Sequence, residues 1–306
     1  MSPAPQSLLS TLPTRLRRGP AGRAVTSAAK QVLRGYGQAT ANTRRGPELL
    51  IIGAKRGGTT SLWKYLDSHP GILPTFPAAA KIKGTYFFDE EWHRGERWYR
   101  SHFPTDHACA VAARRLGYAP VTFEASPYYL FHPHAPARAR QTVPDALIVA
   151  LLRDPVERAF SHYKERRNHT EDLSFVAAIE AEATRTAGEE RRMLADPTVV
   201  SMPHRHQSYV AQSRYAPMLE RWIAAYGPDQ VMVVASEDFY AEPQLFCDQI
   251  TDRLQLPRHH LGSPEPFNAE PSADMDPEVR SRLRTSLRDD IEAVELLLGR
   301  PMPWER

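Results

Sequence analysis

The residues best suited to chemistry in this 306-residue chain stand in one run, Gly53-Ala54-Lys55-Arg56-Gly57-Gly58-Thr59-Thr60. The run nearly fits the phosphate-cradling pattern GxxxxGK[ST]. Gly53 and Gly58 hold its glycine positions, and Thr60 stands where a magnesium-binding hydroxyl would be. Thr59 replaces the lysine that would reach the β- and γ-phosphates. A triphosphate, whose tail needs that lysine and Mg²⁺, is poorly served by such a loop. A shorter anion can still rest on backbone N–H groups and a helix N-terminus. Lys55 and Arg56 then offer positive charge where a leaving group gathers negative charge. Taken alone, the run reads almost as well as a glycine turn with two solvated cations.

The elements around it must hold such a loop. Leu49 to Ile52 is an apolar run ending in glycines, a buried strand entering a turn. Thr59 to Ser68 predicts a helix with Leu62, Tyr65 and Leu66 on one face, stopped by His69-Pro70-Gly71. Further strands are predicted at Val121–Glu124, Ala146–Leu152 and Val231–Ala235. Helices are predicted over 156–168, 215–226, 243–254 and 276–298, with one long, solvated helix over 175–195. Short buried strands alternating with helices predict an α/β fold of three layers, α/β/α, around a central parallel sheet. One such domain fills residues 48–306.

Residues 1–47 differ in kind. They hold Arg15, Arg17, Arg18, Arg23, Lys30, Arg34, Arg44 and Arg45 and no acid. The plainer reading is a weakly ordered basic arm rich in Pro, Ala and Ser. The sharper one is an amphipathic helix from Leu8 to Tyr36 touching an anionic membrane, but Pro13 and Pro20 interrupt it. Net charge is only +3, and the two cysteines, Cys109 and Cys247, form no CxxC. That excludes a cysteine-rich zinc site or disulfide framework and fits a reducing compartment. With no apolar run of spanning length, the expectation is a cytoplasmic protein with at most peripheral membrane contact through the arm.

Ile51 to Leu62, with the loop at its centre, resembles the 5′-phosphosulfate loop of sulfotransferases that use PAPS (3′-phosphoadenosine-5′-phosphosulfate), notably the heparan/glycosaminoglycan type and their bacterial relatives. Leu151-Leu152-Arg153-Asp154-Pro155-Val156-Glu157-Arg158-Ala159-Phe160-Ser161-His162-Tyr163 resembles the family's 3′-phosphate motif. The resemblance implies a P-loop-like sulfotransferase fold, PAPS as donor and PAP as product, and no required metal. It also implies donor contacts from Lys55, Arg56, Gly57, Gly58, Thr59, Thr60 and Ser61, with Arg153 and Ser161 on the 3′-phosphate. A guanidinium fork and a helical hydroxyl suit that phosphate. The family's transfer-assisting cation, usually lysine, matches Arg56, with Lys55 just before it. Lys83 to Asp89 resembles the family's substrate segment, Phe123 to Tyr129 its Glu-x-Ser-Pro-x-Tyr stretch, and Leu297 to Trp304 its ending.

The pattern also breaks. Gly84 stands where the heparan-type enzymes carry their base, a glutamate, and Ala125 where they carry a lysine. Asp89 and Glu124 are the nearest carboxylates able to take the acceptor's proton. Asp89 reads equally as an N-cap before Glu90-Glu91, and Glu124 equally as an orienter of Lys55, Lys83 or Arg56. His93 and His162 read as surface or core histidines, Trp98 and Tyr99 as core, and Trp92 stays open. Pro264 to Ala273 lacks the basic residue of the family's late cofactor loop. The expected reaction is sulfuryl transfer to a hydroxyl or amine of a carbohydrate, glycolipid or small molecule, with no nucleic-acid partner. A small-molecule kinase and a catalytically degenerate PAPS/PAP-binding protein are the alternatives.

Overall fold

The computed structural model describes residues 31–262 and 275–304. The arm to Lys30 and the stretch Pro264 to Ala273 lie outside the described residues. Five strands form one parallel sheet in the order β2-β3-β1-β4-β5: β1 (Leu49–Gly53), β2 (Ile72–Leu73), β3 (Val121–Ala125), β4 (Leu147–Leu152) and β5 (Val231–Ala235). Leu49 pairs with Phe123 on one side and Leu147 on the other, and Ile148 to Leu152 run in register with Val231 to Ala235. Helices α1 (residues 31–39), α2 (Thr59–Asp67), α3 (Gly95–Arg100), α4 (Asp106–Leu116), α5 (Ala135–Thr142), α6 (Pro155–Arg167) and α7 (Phe175–Arg185) come before or between the strands. After them come α8 (Glu189–Ala195), α9 (Met202–His206), α10 (Ala216–Tyr226), α11 (Ser236–Ala241), α12 (Pro243–Arg253) and α13 (Pro277–Leu298).

Alternation along the strands divides the core into two layers. Leu49, Ile51, Val149 and Leu151 face Leu62, Tyr65 and Leu66 of α2 and Ile250 of α12. Leu50, Ile52, Ile148 and Ala150 face Phe87, Phe88, Tyr99 and Trp222. All five residues of β1 and all six of β4 are buried, which explains their uninterrupted apolar sequences. The chain leaves β1 toward β3 on one side and later fills β4 and β5 on the other. The crevice beyond the carboxyl ends of β1 and β4 is therefore the switch point of the sheet, where ligands of such folds bind.

Two expectations change. The helix expected over 175–195 is two helices, because Gly188 turns at φ 74° between α7 and α8. It is not a solvated excursion either: Glu182 is buried and accepts the backbone N–H groups of Val210 and Ala211, both at 2.7 Å. Packed structure also begins before Glu48. Leu33 of α1 is buried, the Arg44 guanidinium donates to the Phe103 carbonyl and covers the Phe76 ring at 4.3 Å, and Arg45 pairs with Asp106 at 2.9 Å. Both cysteines are free thiols, and among the described residues no helix is long and apolar enough to cross a membrane.

Candidate active site

The loop after β1 is packed so closely that its glycines are obligatory. A Cβ on Gly57 would stand 2.4 Å from the Leu151 carbonyl oxygen of β4 and 3.0 Å from that of Ala54. Gly58 has φ 90°, the left-handed region that favours glycine, and its α-carbon lies under Tyr240. Ser236, the first residue after β5, donates to the Gly57 carbonyl at 2.7 Å, so three strand ends fix this backbone. Helix α2 then starts with no side-chain cap and no acid in its first turn. Its leading N–H groups and the positive end of its dipole are left for an anion.

Two segments 105 residues apart meet here: Arg56 Nε donates to Ser161 Oγ at 3.0 Å. Ser161 is carried on α6, whose start is held firmly. Asp154 caps it through the N–H groups of Val156 and Glu157 at 2.9 and 3.1 Å and pairs with Arg284 at 2.6 Å. The Arg153 carbonyl accepts from Tyr215 Oη at 2.9 Å, and the Asp154 N–H donates to Glu237 at 2.9 Å. With its backbone pinned, Arg153 presents a guanidinium that forms no hydrogen bond or ion pair among the described residues.

Lys55 and Arg56 part company. Lys55 Nζ turns to α6, 3.0 Å from His162 Nε2 and 3.1 Å from Glu165. Burial lowers its pKa to about 8 against the pull of Glu165. His162 is wholly buried, and burial together with Lys55 keeps its pKa well below the usual imidazole value, so it stays neutral and accepts from the ammonium. His162 is a core histidine as expected, but one with a task. A cation that the sequence reading did not place at the donor site joins instead. Lys83 Nζ donates to Thr59 Oγ1 at 3.0 Å and Thr60 Oγ1 at 2.9 Å.

The two candidate carboxylates separate as clearly. Glu124 is fully buried and accepts from Thr85 N and Oγ1 at 2.6 and 2.8 Å, Tyr99 Oη at 2.9 Å, Tyr129 Oη at 3.2 Å and Ser126 Oγ at 3.3 Å. Its lone pairs are consumed, and none of these donors is in the loop. Glu124, a candidate proton acceptor by sequence, fastens Thr85 to the end of β3 through these contacts and reaches no group of the loop. Nor does it bond Lys55, Lys83 or Arg56. Asp89 is buried too, yet only its Oδ1 is engaged, accepting the Glu90 N–H at 2.7 Å, and no helix starts on it. Its Oδ2 has no hydrogen-bond partner among the described residues, and burial raises its pKa to about 8 although Arg205 opposes the shift.

Position 84 is closed to side chains. A Cβ there would meet Ser126 Oγ at 2.4 Å and the Ala125 carbonyl oxygen at 2.5 Å. The segment lies flat on β3, with Ala125 N donating to the Lys83 carbonyl at 2.8 Å. Among the aromatic residues, Tyr99 is wholly buried and stacks on Phe87 at 4.6 Å, while Trp92 packs partly against the same ring at 5.0 Å. Arg94 and Arg100 pair locally with Glu91 and Glu96, and His93 is exposed. Arg205, which the sequence reading did not mark, lies over both Tyr86 and Tyr128, at 5.3 and 5.1 Å, and pairs with Glu90. No motif announced it; only the fold brings α9 to the turn after Lys83.

A parallel sheet with a glycine cradle at its switch point and cations converging on it has the makings of an anion-binding α/β protein. Residues 47–260 match the model of the Sulfotransferase family, and the chain belongs to that family. It is 28% identical over 293 residues to the mouse bifunctional heparan sulfate N-deacetylase/N-sulfotransferase 4, a match covering 85% of this chain and 31% of that protein. It is 24% identical over 326 residues to the membrane-associated sulfotransferase kil1 of Dictyostelium discoideum, covering 85% of this chain and 66% of the relative. The chain thus spans about a third of the length of the curated heparan-type relatives it matches. Among solved structures, a sulfotransferase from Alicyclobacillus acidocaldarius superimposes with a TM-score of 0.60 at 26% identity, covering 84% of this chain and 97% of that one.

Proposed function

We propose that this chain transfers a sulfuryl group from PAPS to a hydroxyl or amine of a carbohydrate acceptor. The observation that carries the reading is the junction of Arg56 with Ser161, with a loop closed to side chains at Gly57 and, at the start of the same helix segment, an Arg153 guanidinium unpaired among the described residues. The fit is chemical: backbone N–H groups and hydroxyls for a 5′ anion, and a guanidinium with a helical hydroxyl for a 3′-phosphate. PAPS supplies an activated sulfuryl group on a phosphate leaving group. Arg153 and Ser161 hold the 3′ end, and Gly57 to Ser61 cradle the 5′ end. Arg56 is the loop cation that stabilises the departing oxygen, while Lys55, anchored on α6, raises the local potential beside it. Asp89, with one free carboxylate oxygen in a buried turn, takes the acceptor's proton. The heparan-type relatives support a glycan as acceptor, and the kil1 name supports peripheral membrane contact for the basic amino-terminal residues.

The test is transfer of ³⁵S from labelled PAPS to a panel of glycans, glycolipids and small alcohols and amines. Label on a glycan is the expected result. Tight PAP binding with no label on any acceptor would instead identify a degenerate binding protein.

A further inference from the structure

We propose that Lys83, outside both phosphate motifs, is the cation that receives the 5′ end of the donor. This rests on the PAPS reading above and adds a residue to it. The ammonium is tethered to the hydroxyls of the first two residues of α2, 3.0 Å from Thr59 Oγ1 and 2.9 Å from Thr60 Oγ1. An ammonium has three N–H donors, and these contacts use two of them. The third has no acceptor among the described residues.

The charge is uncompensated as well. Lys55 has Glu165 and Arg205 has Glu90, but among the described residues no carboxylate lies within ion-pair distance of Lys83. Burial lowers its pKa to about 8, and no acidic neighbour offsets that. A half-buried cation held by two neutral hydroxyls is a site waiting for an anion.

The position of the charge gives the anion's identity. In the GxxxxGK[ST] pattern the residue at Thr59 is a lysine on the phosphates, and the hydroxyl at Thr60 holds a metal ion. Here both residues are threonines, and one ammonium from a different segment bonds both hydroxyls. Lys83 therefore sets a single positive charge where a triphosphate loop sets its lysine and Mg²⁺. One charge suits the 5′-phosphosulfate, which carries less negative charge than a triphosphate tail. The packing around Gly84 serves the same end: the Ala125 N–H holds the Lys83 carbonyl at 2.8 Å and Glu124 holds Thr85, so the Lys83 backbone is fixed on both sides.

The experiment is calorimetric titration of the full chain, wild type and Lys83→Met, with PAP, 5′-AMP and 3′-AMP. Losing a charge-assisted hydrogen bond should weaken PAP and 5′-AMP by roughly 10- to 100-fold. The affinity for 3′-AMP, which has no 5′-phosphate, should stay within about twofold. Lys83→Arg should keep part of the PAP affinity. If Lys83→Met does not fold, Lys83→Gln removes the charge and keeps a donor for the threonines, with the same expectation. Unchanged PAP binding overturns the proposal, and so does an equal loss for 3′-AMP, which would mark a general distortion. A wild-type chain that binds no PAP overturns the PAPS reading itself.

Discussion

Restoring the missing glutamate at position 84 should harm this protein. The smallest perturbation is Gly84→Ala, which adds one methyl 2.5 Å from the Ala125 carbonyl oxygen and 2.4 Å from Ser126 Oγ. The serine can rotate away, but the carbonyl belongs to β3 and cannot. To reach ordinary contact the 83–85 segment must withdraw by about 1 Å. That stretches the hydrogen bond from Ala125 N to the Lys83 carbonyl, now 2.8 Å, and the one from Thr85 N to Glu124, now 2.6 Å, beyond useful length. Overpacking costs about 1–3 kcal/mol, and weakening two buried hydrogen bonds, one to a carboxylate, adds about as much. A loss of about 2–6 kcal/mol lowers Tm by roughly 4–12 °C in a domain of this size, at about 2 °C per kcal/mol. Lys83 moves with its backbone, so PAP affinity falls too. Thermal unfolding and PAP titration of Gly84→Ala and Gly84→Glu check both effects. A Gly84→Glu chain with unchanged Tm and faster turnover would refute the reasoning, because it would show that the site has room for the usual base.

Gly57→Ala puts a methyl 2.4 Å from the Leu151 carbonyl oxygen, so PAP binding should be lost in calorimetry while far-UV circular dichroism still shows a folded α/β chain. Arg153→Ala should weaken PAP by roughly 10- to 100-fold and leave adenosine 5′-phosphosulfate, which lacks the 3′-phosphate, within about twofold. Asp89 must be ionised to accept a proton, so turnover should rise with pH through its pKa of about 8. It should fall above that as Lys55 and Lys83, both with pKa of about 8, lose charge. Asp89→Asn should abolish the rising limb and cut kcat by about 10²–10⁴-fold. Its effect on stability has a definite sign. A folded pKa raised from 3.8 to about 8 gives stability that is full at low pH and lost as pH rises across that interval. Denaturant titrations should show that slope in the wild type and a shallower one in Asp89→Asn.

The two segments proposed to hold the donor were legible in the sequence because each is local. A strand, a glycine turn and a helix start lie within residues 49–67, and the second motif within 151–163, so residue type and spacing carried the chemistry. The strands β1, β3, β4 and β5 were visible as short apolar runs, whereas β2, only Ile72–Leu73, and helices α3, α4 and α5 were not predicted. Helix α4 has no buried residue, so its sequence carries no apolar stripe to read. The break at Gly188 was hidden by strong helix formers on both sides. What stayed illegible depends on distant segments meeting. Glu124 looked like a strand-end acid until Thr85, Tyr99 and Tyr129 were seen to enclose it. Lys83 was read within the substrate segment, and only the fold turns it back onto Thr59 and Thr60. Arg44, counted among the charges of a weakly ordered arm, proves to be a buried anchor.

The claim on which the rest depends is that Gly53 to Thr60, with Arg153 and Ser161, binds a 3′,5′-bisphosphorylated nucleotide rather than a triphosphate. Its most direct test is calorimetric titration of the full chain with PAP and, separately, with ATP and Mg²⁺. The account predicts that PAP binds at least about tenfold more tightly, because two cations at the 3′ and 5′ ends each add a charge-assisted contact, and that Mg²⁺ leaves its affinity unchanged. Tighter binding of ATP with Mg²⁺, or PAP binding that needs the metal, would contradict it.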